Sequence, residues 1–433
     1  MLRRQFLKAA ALSAISFSAS STCAVKKSRP NIILIMADDL GYECLGCNGS
    51  TSYKTPHLDH LAASGVRFTH AHSQPLCTPS RVQIMTGQYN FRNYTQFGAL
   101  KPGEYTFGHL LQGAGYKTCL IGKWQLAARV KDASYRGEGT LPEHAGFDEH
   151  CLWQVNFKGS RYWEPSIRTN GELQKDIAGK YGPDIFCDYG LDFIERHKDQ
   201  RFFLYFPMAL THDPFVPTPD SDLSETERED VKNIKSDPVY FSDMVAYMDK
   251  LVGRFVEKLK KLKLSDRTVL IFTGDNGTHR SILSETRDGP VRGAKGQTIT
   301  AGTHVPFIVN WSGIAASGLI NENLIDFTDV FPTLAEISGA QHPADRTFDG
   351  ISFLPHIKGK DGPSREWIFC HYEPKWGKWK PARFVMDKRW KLYDDGRFYD
   401  VVNDPLEAQP VEELSDEMTR IRDKFETVLK NKQ

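Results

Sequence analysis

Continuous apolar runs alternate along the chain with segments whose apolar residues recur at helical spacing. The run from Asn31 to Ala37 is strongly strand-like, and it is too continuous for a strand with one exposed face. Apolar residues at 244, 248, 251, 252, 255 and 259 indicate a helix just before the next strand-like run. This alternation predicts an α/β fold with a large, mixed, mostly parallel sheet flanked by helices. The strand-like runs cover residues 31–37, 118–121, 201–206 and 268–272.

The pattern changes after about residue 345, where short strand-like segments replace the long apolar runs. Asp394-Asp395-Gly396 provides a turn between the last two of these segments. A charged amphipathic stretch over residues 411–429 predicts a closing helix. We therefore expect a small C-terminal antiparallel sheet with a helix, which divides the chain into residues 1–28, 29–345 and 346–433. The short segments cover residues 367–372, 382–386, 390–393 and 397–401.

The first 28 residues are typical of an export signal. Arg3 and Arg4 precede Phe6-Leu7-Lys8, and a short apolar stretch over residues 9–17 follows. The paired arginines favour a twin-arginine signal, with an ordinary Sec signal as the alternative. No later apolar run reaches the ~18 residues that a membrane span needs. We expect a protein that uses the export machinery of a bacterium and acts in the periplasm or outside the cell, without a stable membrane span.

Charge composition narrows the classes of partner. The chain has 55 Lys and Arg residues against 54 Asp and Glu residues, so its formal net charge is +1. A protein that binds nucleic acid or an anionic membrane usually has a clear basic excess. The composition therefore argues against those partners, and any anion must be bound by a local cluster of cations.

Polar residues stand where the predicted strands end. In α/β sheets, ligands gather beyond the carboxyl ends of the strands, so these residues are candidates for a shared site. Carboxylate and amide oxygens of Asp38, Asp39, Asp275 and Asn276 are hard ligands suited to Ca²⁺ or Mg²⁺. The residues at the strand ends are Asp38, Asp39, Lys123, His212, Asp275 and Asn276.

The most specific motif is Cys77-Thr78-Pro79-Ser80-Arg81. Pro79 fits a first helical position, which would place Cys77 at or just before a helix N-terminus. Backbone amides and the helix dipole favour an anion there. Arg81 lies one helical turn further on and adds a positive charge.

This motif and several others resemble those of the formylglycine-dependent sulfatases of the alkaline phosphatase superfamily, over roughly residues 30 to 430. The Cys-x-Pro-Ser-Arg motif at Cys77 is similar to the signature that the maturation enzymes of that family recognise. The other segments that resemble the family, in the family's order, are residues 35–41, 122–124, 211–215, 273–277, 292–296 and 302–306.

The resemblance implies a sulfuric ester hydrolase that acts on a sulfated small molecule or saccharide, with an alkaline phosphatase-like fold. A formylglycine-generating enzyme would convert Cys77 to formylglycine, whose hydrated aldehyde offers a hydroxyl nucleophile. The family implies Ca²⁺, with Mg²⁺ as the less favoured ion, bound by Asp38, Asp39, Asp275, Asn276 and the modified Cys77. The implied catalytic residues are Cys77, Arg81, Lys123, Gln125, His212 and Lys295, of which Lys123, His212 and Lys295 would also bind the sulfate group. His279 and Arg280 are further candidates for substrate binding from their positions in the sequence.

Gln125 departs from the family pattern, which commonly has histidine two residues after the first lysine. Glutamine can form a hydrogen bond to a formylglycine hydroxyl, but it cannot accept a proton at neutral pH. His212, His279 or a metal-bound hydroxyl would then have to act as the base.

Two other functions are consistent with the motifs. One is a phosphate or phosphonate monoester hydrolase of the same superfamily, and the other is a non-catalytic protein that binds sulfated glycans. Two lysines with one metal favour the monoanionic sulfate ester over a phosphate ester. Trp153, Tyr162, Trp163 and Arg280 are candidates for the rim of the pocket.

Overall fold

The computed structural model describes residues 29–128, 138–155 and 158–432. The predicted export signal, residues 1–28, lies outside the described residues. The strands are Asn31–Ala37 (β1), Val66–His72 (β2), Lys117–Lys123 (β3), Glu149–Trp153 (β4), Ile167–Thr169 (β5), Glu172–Leu173 (β6), Phe202–Pro207 (β7), Thr268–Gly274 (β8), Leu283–Thr286 (β9), Gly289–Arg292 (β10), His304–Asn310 (β11), Leu319–Asp326 (β12), Ile368–Tyr372 (β13), Ala382–Met386 (β14), Trp390–Tyr393 (β15) and Phe398–Asp400 (β16).

Helices separate most of the strands. They are Pro56–Ala63 (α1), Cys77–Thr86 (α2), Asn90–Asn93 (α3), Phe107–Gly113 (α4), Gly182–Arg196 (α5), Glu225–Glu229 (α6), Phe241–Lys261 (α7), Thr300–Thr303 (α8), Val330–Ser338 (α9), Leu354–Ile357 (α10) and Asp416–Asn431 (α11). Short single-turn helices join some of these elements.

Ten strands form one mixed sheet in the order β12-β2-β11-β8-β1-β7-β3-β4-β5-β6. The five central strands, from β8 to β4, pair in parallel. Antiparallel pairs flank them, β11 with β8 on one side and β4 with β5 on the other. The predicted α/β fold with a mixed, mostly parallel sheet is therefore confirmed.

Burial on both faces explains why the central strands are continuously apolar. In β1, Ile33 and Ile35 pack in a core cluster with residues of α1, α5 and α7. The alternate residues Ile32, Leu34 and Met36 pack in a second cluster with residues of α2, α4 and α9. Because successive side chains point to opposite faces, a strand covered by helices on both sides has no polar face.

The C-terminal part forms the predicted small antiparallel sheet, in the order β13-β14-β15-β16. Its strands lie within two residues of the predicted bounds. The closing helix α11 begins at Asp416 and not near residue 411 as predicted. Ser415 explains the difference, because its hydroxyl accepts a hydrogen bond from the Met418 N–H and caps the helix there.

Within the described residues, no helix combines the length and apolar character that crossing a bilayer requires.

Candidate active site

The carboxyl ends of the central strands bring most of the predicted polar residues together. Asp38 and Asp39 follow β1, Asp275 and Asn276 follow β8, and Lys123 is the last residue of β3. Since β8, β1, β7 and β3 are consecutive in the sheet, their ends lie along one edge. All five side chains are buried, so they form a charged cluster beneath the surface.

Helix α2 places Cys77 over this cluster. The helix begins at Cys77, so Pro79 is its third residue and not the predicted first. Proline is tolerated there because the first four N–H groups of a helix have no partner within the helix. Burial raises the pKa of the Cys77 thiol, which donates a hydrogen bond to Gln125 Oε1 at 3.6 Å.

Arg81 joins helix α2 to the loop after β8. Its Nε and Nη2 atoms both donate to Asp275 Oδ2, at 3.2 and 3.0 Å, and its Nη1 donates to the Lys123 carbonyl at 2.9 Å. Burial together with the charge of Asp38 raises the pKa of Asp275, against the opposing charge of Arg81. The Arg81–Asp275 ion pair therefore connects helix α2, which begins at Cys77, to the carboxylate cluster.

Asp38 is held by three cations, one of which is Arg81, whose Nη2 lies 3.8 Å from Asp38 Oδ1. Lys123 Nζ lies 3.0 and 2.8 Å from its two carboxylate oxygens, and Arg161 Nη1 lies 3.4 Å from Oδ2. Although burial raises it, the charges of Lys123, Arg81 and Arg161 hold the pKa of Asp38 well below its usual range. Asp38 is therefore ionised and available as a hard ligand.

A second group of residues surrounds Asp39. Lys295 Nζ donates to Asp39 Oδ2 at 2.6 Å and contacts His212 Nε2 at 2.8 Å. His212 Nδ1 lies 2.5 Å from the Asp213 carbonyl oxygen and 2.9 Å from Asp213 Oδ1. Burial and the charge of Arg161 lower the pKa of His212. These contacts assign the proton of a neutral His212 to Nδ1, with Nε2 accepting from the Lys295 ammonium group.

The buried oxygens fit a divalent cation of the kind that prefers oxygen ligands. Ligand atoms of Asp38, Cys77 and Asp275 all lie within 4.8 Å of one another. Asn276 Oδ1 is buried and, among the described residues, has no hydrogen-bond partner, while Asn276 Nδ2 donates to Asp39 Oδ1 at 2.8 Å. A buried amide oxygen without a partner is costly unless an ion or water binds it. Asp38, Asp39, Asp275 and Asn276 therefore suit Ca²⁺ or Mg²⁺.

A cleft of about 940 Å³ opens above the cluster and reaches Cys77. The structure divides the predicted site residues into two sets. One set lines the cleft: Cys77, Gln125, His212, His279, Arg280 and Lys295. The other set is buried beneath it: Asp38, Asp39, Arg81, Lys123, Asp275 and Asn276. Trp153, Tyr162 and Trp163, proposed from sequence as rim residues, also line the cleft.

Gln125 and Asp39 hold backbone conformations that few residues adopt. Their φ angles are 52° and 61°, in the left-handed region. Gln125 N–H donates to the Gln154 carbonyl at 3.0 Å, which fixes the turn after β3 beside Cys77. Such strained positions are frequent at functional sites, where the surrounding structure imposes them.

Arg161, Trp376 and Trp379 also line the cleft, and sequence reasoning missed them. Arg161 is buried, and its guanidinium lies 4.1 Å from the centre of the Trp153 ring. It follows no apolar strand, so its place in the sequence carries no signal of its own. The aromatic and basic pattern Trp376-Gly377-Lys378-Trp379 is a signal that could have been recognised.

Two family models together match residues 30–433, and known proteins are similar to most of the chain. A family model described as "Sulfatase" matches residues 30–340, and one described as "N-sulphoglucosamine sulphohydrolase, C-terminal" matches residues 298–433. The chain is 29% identical to Steryl-sulfatase of Rattus norvegicus, over 79% of this chain and 73% of that protein. It is 30% identical to N-acetylgalactosamine-6-sulfatase of Homo sapiens, over 76% of this chain and 66% of that protein.

Solved structures share the fold over nearly the whole chain. The crystal structure of Ps i-CgsB superposes with a TM-score of 0.74 at 26% identity and covers 92% of each chain. The phosphonate monoester hydrolase of Agrobacterium radiobacter has a TM-score of 0.67 at 20% identity and covers 93% of this chain and 95% of that one. At that identity, the second likeness concerns the fold alone.

Proposed function

We propose that this chain, which belongs to the sulfatase family, is a sulfuric ester hydrolase that releases sulfate from sulfated carbohydrates. Hydrolysis would depend on a modified Cys77 and a bound Ca²⁺. One observation carries the proposal. Cys77 begins a helix at the base of an open cleft, and its sulfur lies within 4.8 Å of ligand oxygens of Asp38 and Asp275. A nucleophile at position 77 would therefore lie at the wall of the cleft and next to hard oxygen ligands.

A carbohydrate substrate is supported by the walls of the cleft. Trp153, Trp163, Trp376 and Trp379 line it, and indole rings of this kind pack well against the apolar faces of sugar rings. Among the relatives, one is named N-acetylgalactosamine-6-sulfatase, and Ps i-CgsB has been solved in complex with k-i-k-neocarrahexaose. These names describe those proteins, and they favour the same substrate class for this one.

The proposal requires formylglycine at position 77. The Cys77-Thr78-Pro79-Ser80-Arg81 segment is the one that a maturation enzyme would act on. Formylglycine would supply a hydroxyl nucleophile through hydration of its aldehyde. In the folded chain Cys77 contacts Gln125, which supports Gln125 as the residue that would orient that hydroxyl by a hydrogen bond.

Asp38, Asp39, Asp275 and Asn276 would hold the cation, which would supply Lewis acidity at the nucleophile. Arg81 fixes Asp275 and the helix that carries Cys77. Lys295 faces the cleft and bears a proton, because burial is outweighed by the charge of Asp39, which raises its pKa. Its charge and its position support Lys295 as the group that would neutralise, and protonate, the departing alcohol oxygen, with His212 holding its ammonium group in position.

Export is part of the proposal. The twin-arginine pattern at Arg3 and Arg4 favours action in the periplasm or outside a bacterial cell, where sulfated polysaccharides would be met. Fractionation of cells that express the full chain tests it. Replacing Arg3-Arg4 with Lys-Lys should retain the protein in the cytoplasm, and unchanged export would contradict the twin-arginine assignment.

The test of the function uses protein produced together with a formylglycine-generating enzyme. We expect release of sulfate from para-nitrophenyl sulfate to exceed release of phosphate from para-nitrophenyl phosphate. Mass spectrometry of the peptide that carries Cys77 should show a thiol exchanged for an aldehyde. The Cys77→Ala variant should be inactive, whereas Cys47→Ala, at a free and partly buried cysteine, should be active. Preferred hydrolysis of the phosphate ester, or full activity with an unmodified Cys77 thiol, would overturn the proposal.

The cation is tested separately by chelation. Protein freed of metal should lose activity and regain it with Ca²⁺ more fully than with Mg²⁺. Undiminished activity in protein shown to be free of metal would contradict the assignment of Asp38, Asp39, Asp275 and Asn276.

A further inference from the structure

We propose that the cleft contains a second anion-binding subsite, formed by Arg280 on the ring of Trp379 together with Lys378. This subsite would bind a carboxylate or a second sulfate group of the saccharide whose scissile sulfate lies at Cys77. The inference deepens the proposed function, since it specifies the substrate as an acidic sulfated saccharide that carries at least two negative charges.

The charge of the cleft wall exceeds what a single sulfate ester requires. Asp213 is the one carboxylate that lines the cleft within the described part of the chain. Two of the lining cations already serve the buried cluster, since Lys295 binds Asp39 and Arg161 binds Asp38. A third, Lys232, is paired with Glu164 at 3.2 Å. The cations that line the cleft are Lys158, Arg161, Lys232, Arg280, Lys295 and Lys378.

Arg280 and Lys378 are free to bind a ligand. Among residues 29–128, 138–155 and 158–432, neither has a carboxylate within 4.0 Å or a side-chain hydrogen bond. The Arg280 guanidinium lies 4.8 Å from the centre of the Trp379 ring. An arginine stacked on an aromatic ring keeps its orientation while its N–H groups remain available to a planar anion.

The stacked pair lies next to the catalytic centre. Trp379 packs so closely on Gly296 that a Cβ atom there would come within 2.4 Å of the indole ring. Gly296 directly follows Lys295, whose ammonium group binds Asp39. Tyr372 holds the same residue from the small sheet, because its hydroxyl donates to the Gly296 carbonyl at 3.1 Å. Arg280 therefore stacks on a ring that packs against Gly296, the residue next to the lysine assigned to the departing alcohol oxygen.

The size of the cleft also fits a ligand larger than one monosaccharide. Its volume of about 940 Å³ is near the upper end of the range for ligand pockets. Trp376, on the same loop as Trp379, stacks on Phe97 with ring centres 4.3 Å apart and forms a second aromatic wall. A second sugar unit that carries the extra charge can therefore occupy the cleft together with the sulfated ring.

Binding measured in the inactive Cys77→Ala variant tests the subsite. One pair of probes is a sulfated disaccharide with a uronic acid and the same disaccharide with its carboxyl group reduced to the alcohol. The other pair is a disulfated disaccharide and its monosulfated counterpart. One or two charge-assisted hydrogen bonds correspond to roughly 10- to 100-fold in affinity, so we expect at least one acidic probe to bind about tenfold or more tightly than its partner.

Substitutions test whether Arg280 and Lys378 cause the preference for the acidic probe. In the Cys77→Ala background, Arg280→Gln should reduce the preference to below about threefold, with Lys378→Gln causing a smaller loss. Arg280→Lys keeps the charge but loses the planar guanidinium, so it should retain only part of the preference. Lys380→Gln, at an exposed lysine of the same loop outside the cleft lining, is the matched control and should retain all of it.

Equal affinity within both pairs would overturn the subsite, and so would a preference that Arg280→Gln and Lys378→Gln leave intact. Whichever pair shows the preference identifies the anion as a carboxylate or a sulfate group. Hydrolysis of para-nitrophenyl sulfate by the mature wild-type enzyme tests the proposed function independently. Lack of that activity with a retained preference would reject the proposed function while leaving the subsite in place.

Discussion

Arg161 shows how one side chain can serve both a buried cluster and the surface above it. It pairs with Asp38 at 3.4 Å, stacks on Trp153 and lines the cleft. Asp38 and Asp39 need compensating charge from several cations, because ionised carboxylates are costly to bury unless they are paired. Arg161 supplies one of these charges at a point where a substrate anion can also reach it.

We expect Arg161→Gln to lower kcat/KM for para-nitrophenyl sulfate by about 10²-fold, because a preorganised positive charge near the sulfate is lost. Arg161→Lys should recover part of this, since it keeps the charge without the stacked guanidinium. Steady-state kinetics measure the effect, with circular dichroism to verify folding and the exposed Lys180→Gln as the control. Near wild-type kcat/KM in a folded Arg161→Gln enzyme would remove Arg161 from the binding machinery.

Gln125 has a side-chain amide at a position where a histidine would have a basic ring nitrogen. It accepts a hydrogen bond from Cys77 but cannot take up a proton, and its φ angle of 52° is one that histidine tolerates better than most residues. We expect Gln125→His to raise the steady rate of para-nitrophenyl sulfate hydrolysis and to reduce any initial burst of nitrophenol. A base contributes roughly 10²- to 10⁴-fold where proton transfer limits the rate. Stopped-flow kinetics give both values, and an unchanged steady rate without a burst in the wild-type enzyme would show that this proton transfer is not limiting.

The small C-terminal sheet is attached to the segment that contains Lys295 and Thr298 through a buried lysine. Lys391 of β15 is fully buried, donates to the Thr298 carbonyl and pairs with Glu407 at 2.7 Å. The Tyr393 hydroxyl contacts both Thr298 and Glu407, so one network joins the sheet to the segment that follows Gly296. The sheet therefore supports the loop against which Trp379 packs, in addition to closing the fold.

Removing that lysine should destabilise the protein. Lys391→Met leaves the Glu407 carboxylate buried without its cation, which costs about 3 kcal/mol in comparable pairs. Urea unfolding should show this loss, the double variant Lys391→Met/Glu407→Gln should recover part of it, and the exposed Lys388→Met should show little change. A loss below about 1 kcal/mol for Lys391→Met would mean that the network contributes little to stability.

Across the whole molecule, stacked histidines link the sheet to the loop after β1. The His304 ring stacks on Tyr42 at 4.1 Å and on His72 at 5.1 Å, and its Nε2 contacts the Thr69 carbonyl at 2.8 Å. Burial lowers the pKa of His304 to about 4 and that of His72 well below its usual value. Both rings are neutral in the folded protein near neutral pH, and protonation opposes folding.

Protonation of these histidines makes the free energy of unfolding depend on pH. Between about pH 6.5 and 4 the unfolded chain binds more protons than the folded one, so the free energy of unfolding falls as pH falls through that window. For His304 alone the loss is at most about 3 kcal/mol, and below about pH 4 it is complete. His304→Phe should make the pH dependence of urea unfolding shallower, whereas His60→Asn, at an exposed histidine, should not. Parallel curves for wild type and His304→Phe would contradict this account.

The sequence by itself determined the α/β architecture and the ends of the central strands, because burial on both faces requires continuous apolar runs and leaves polar residues at their ends. Helix α2 and the motif at Cys77 were also predictable, since both depend on residues adjacent in the chain. Only the tertiary structure decided which polar residues face the cleft. Lys123 and Gln125 are neighbours in sequence, yet Lys123 is buried on Asp38 while Gln125 lines the cleft.

Tertiary structure also decided the contributions of distant segments. Arg161 reaches Asp38 across 123 positions of sequence, and Trp379 of the C-terminal part packs on Gly296, which precedes β11 of the large sheet. Local patterns report which face of a strand or helix is buried, because that burial repeats with the period of the element. They carry no information on which loops meet, because strand order and the packing of the second sheet set those contacts. The charged cluster beneath the cleft and the rim residues Trp153, Tyr162 and Trp163 could therefore be predicted from sequence, whereas the contact of Arg161 with Asp38 and the packing of Trp379 on Gly296 could not.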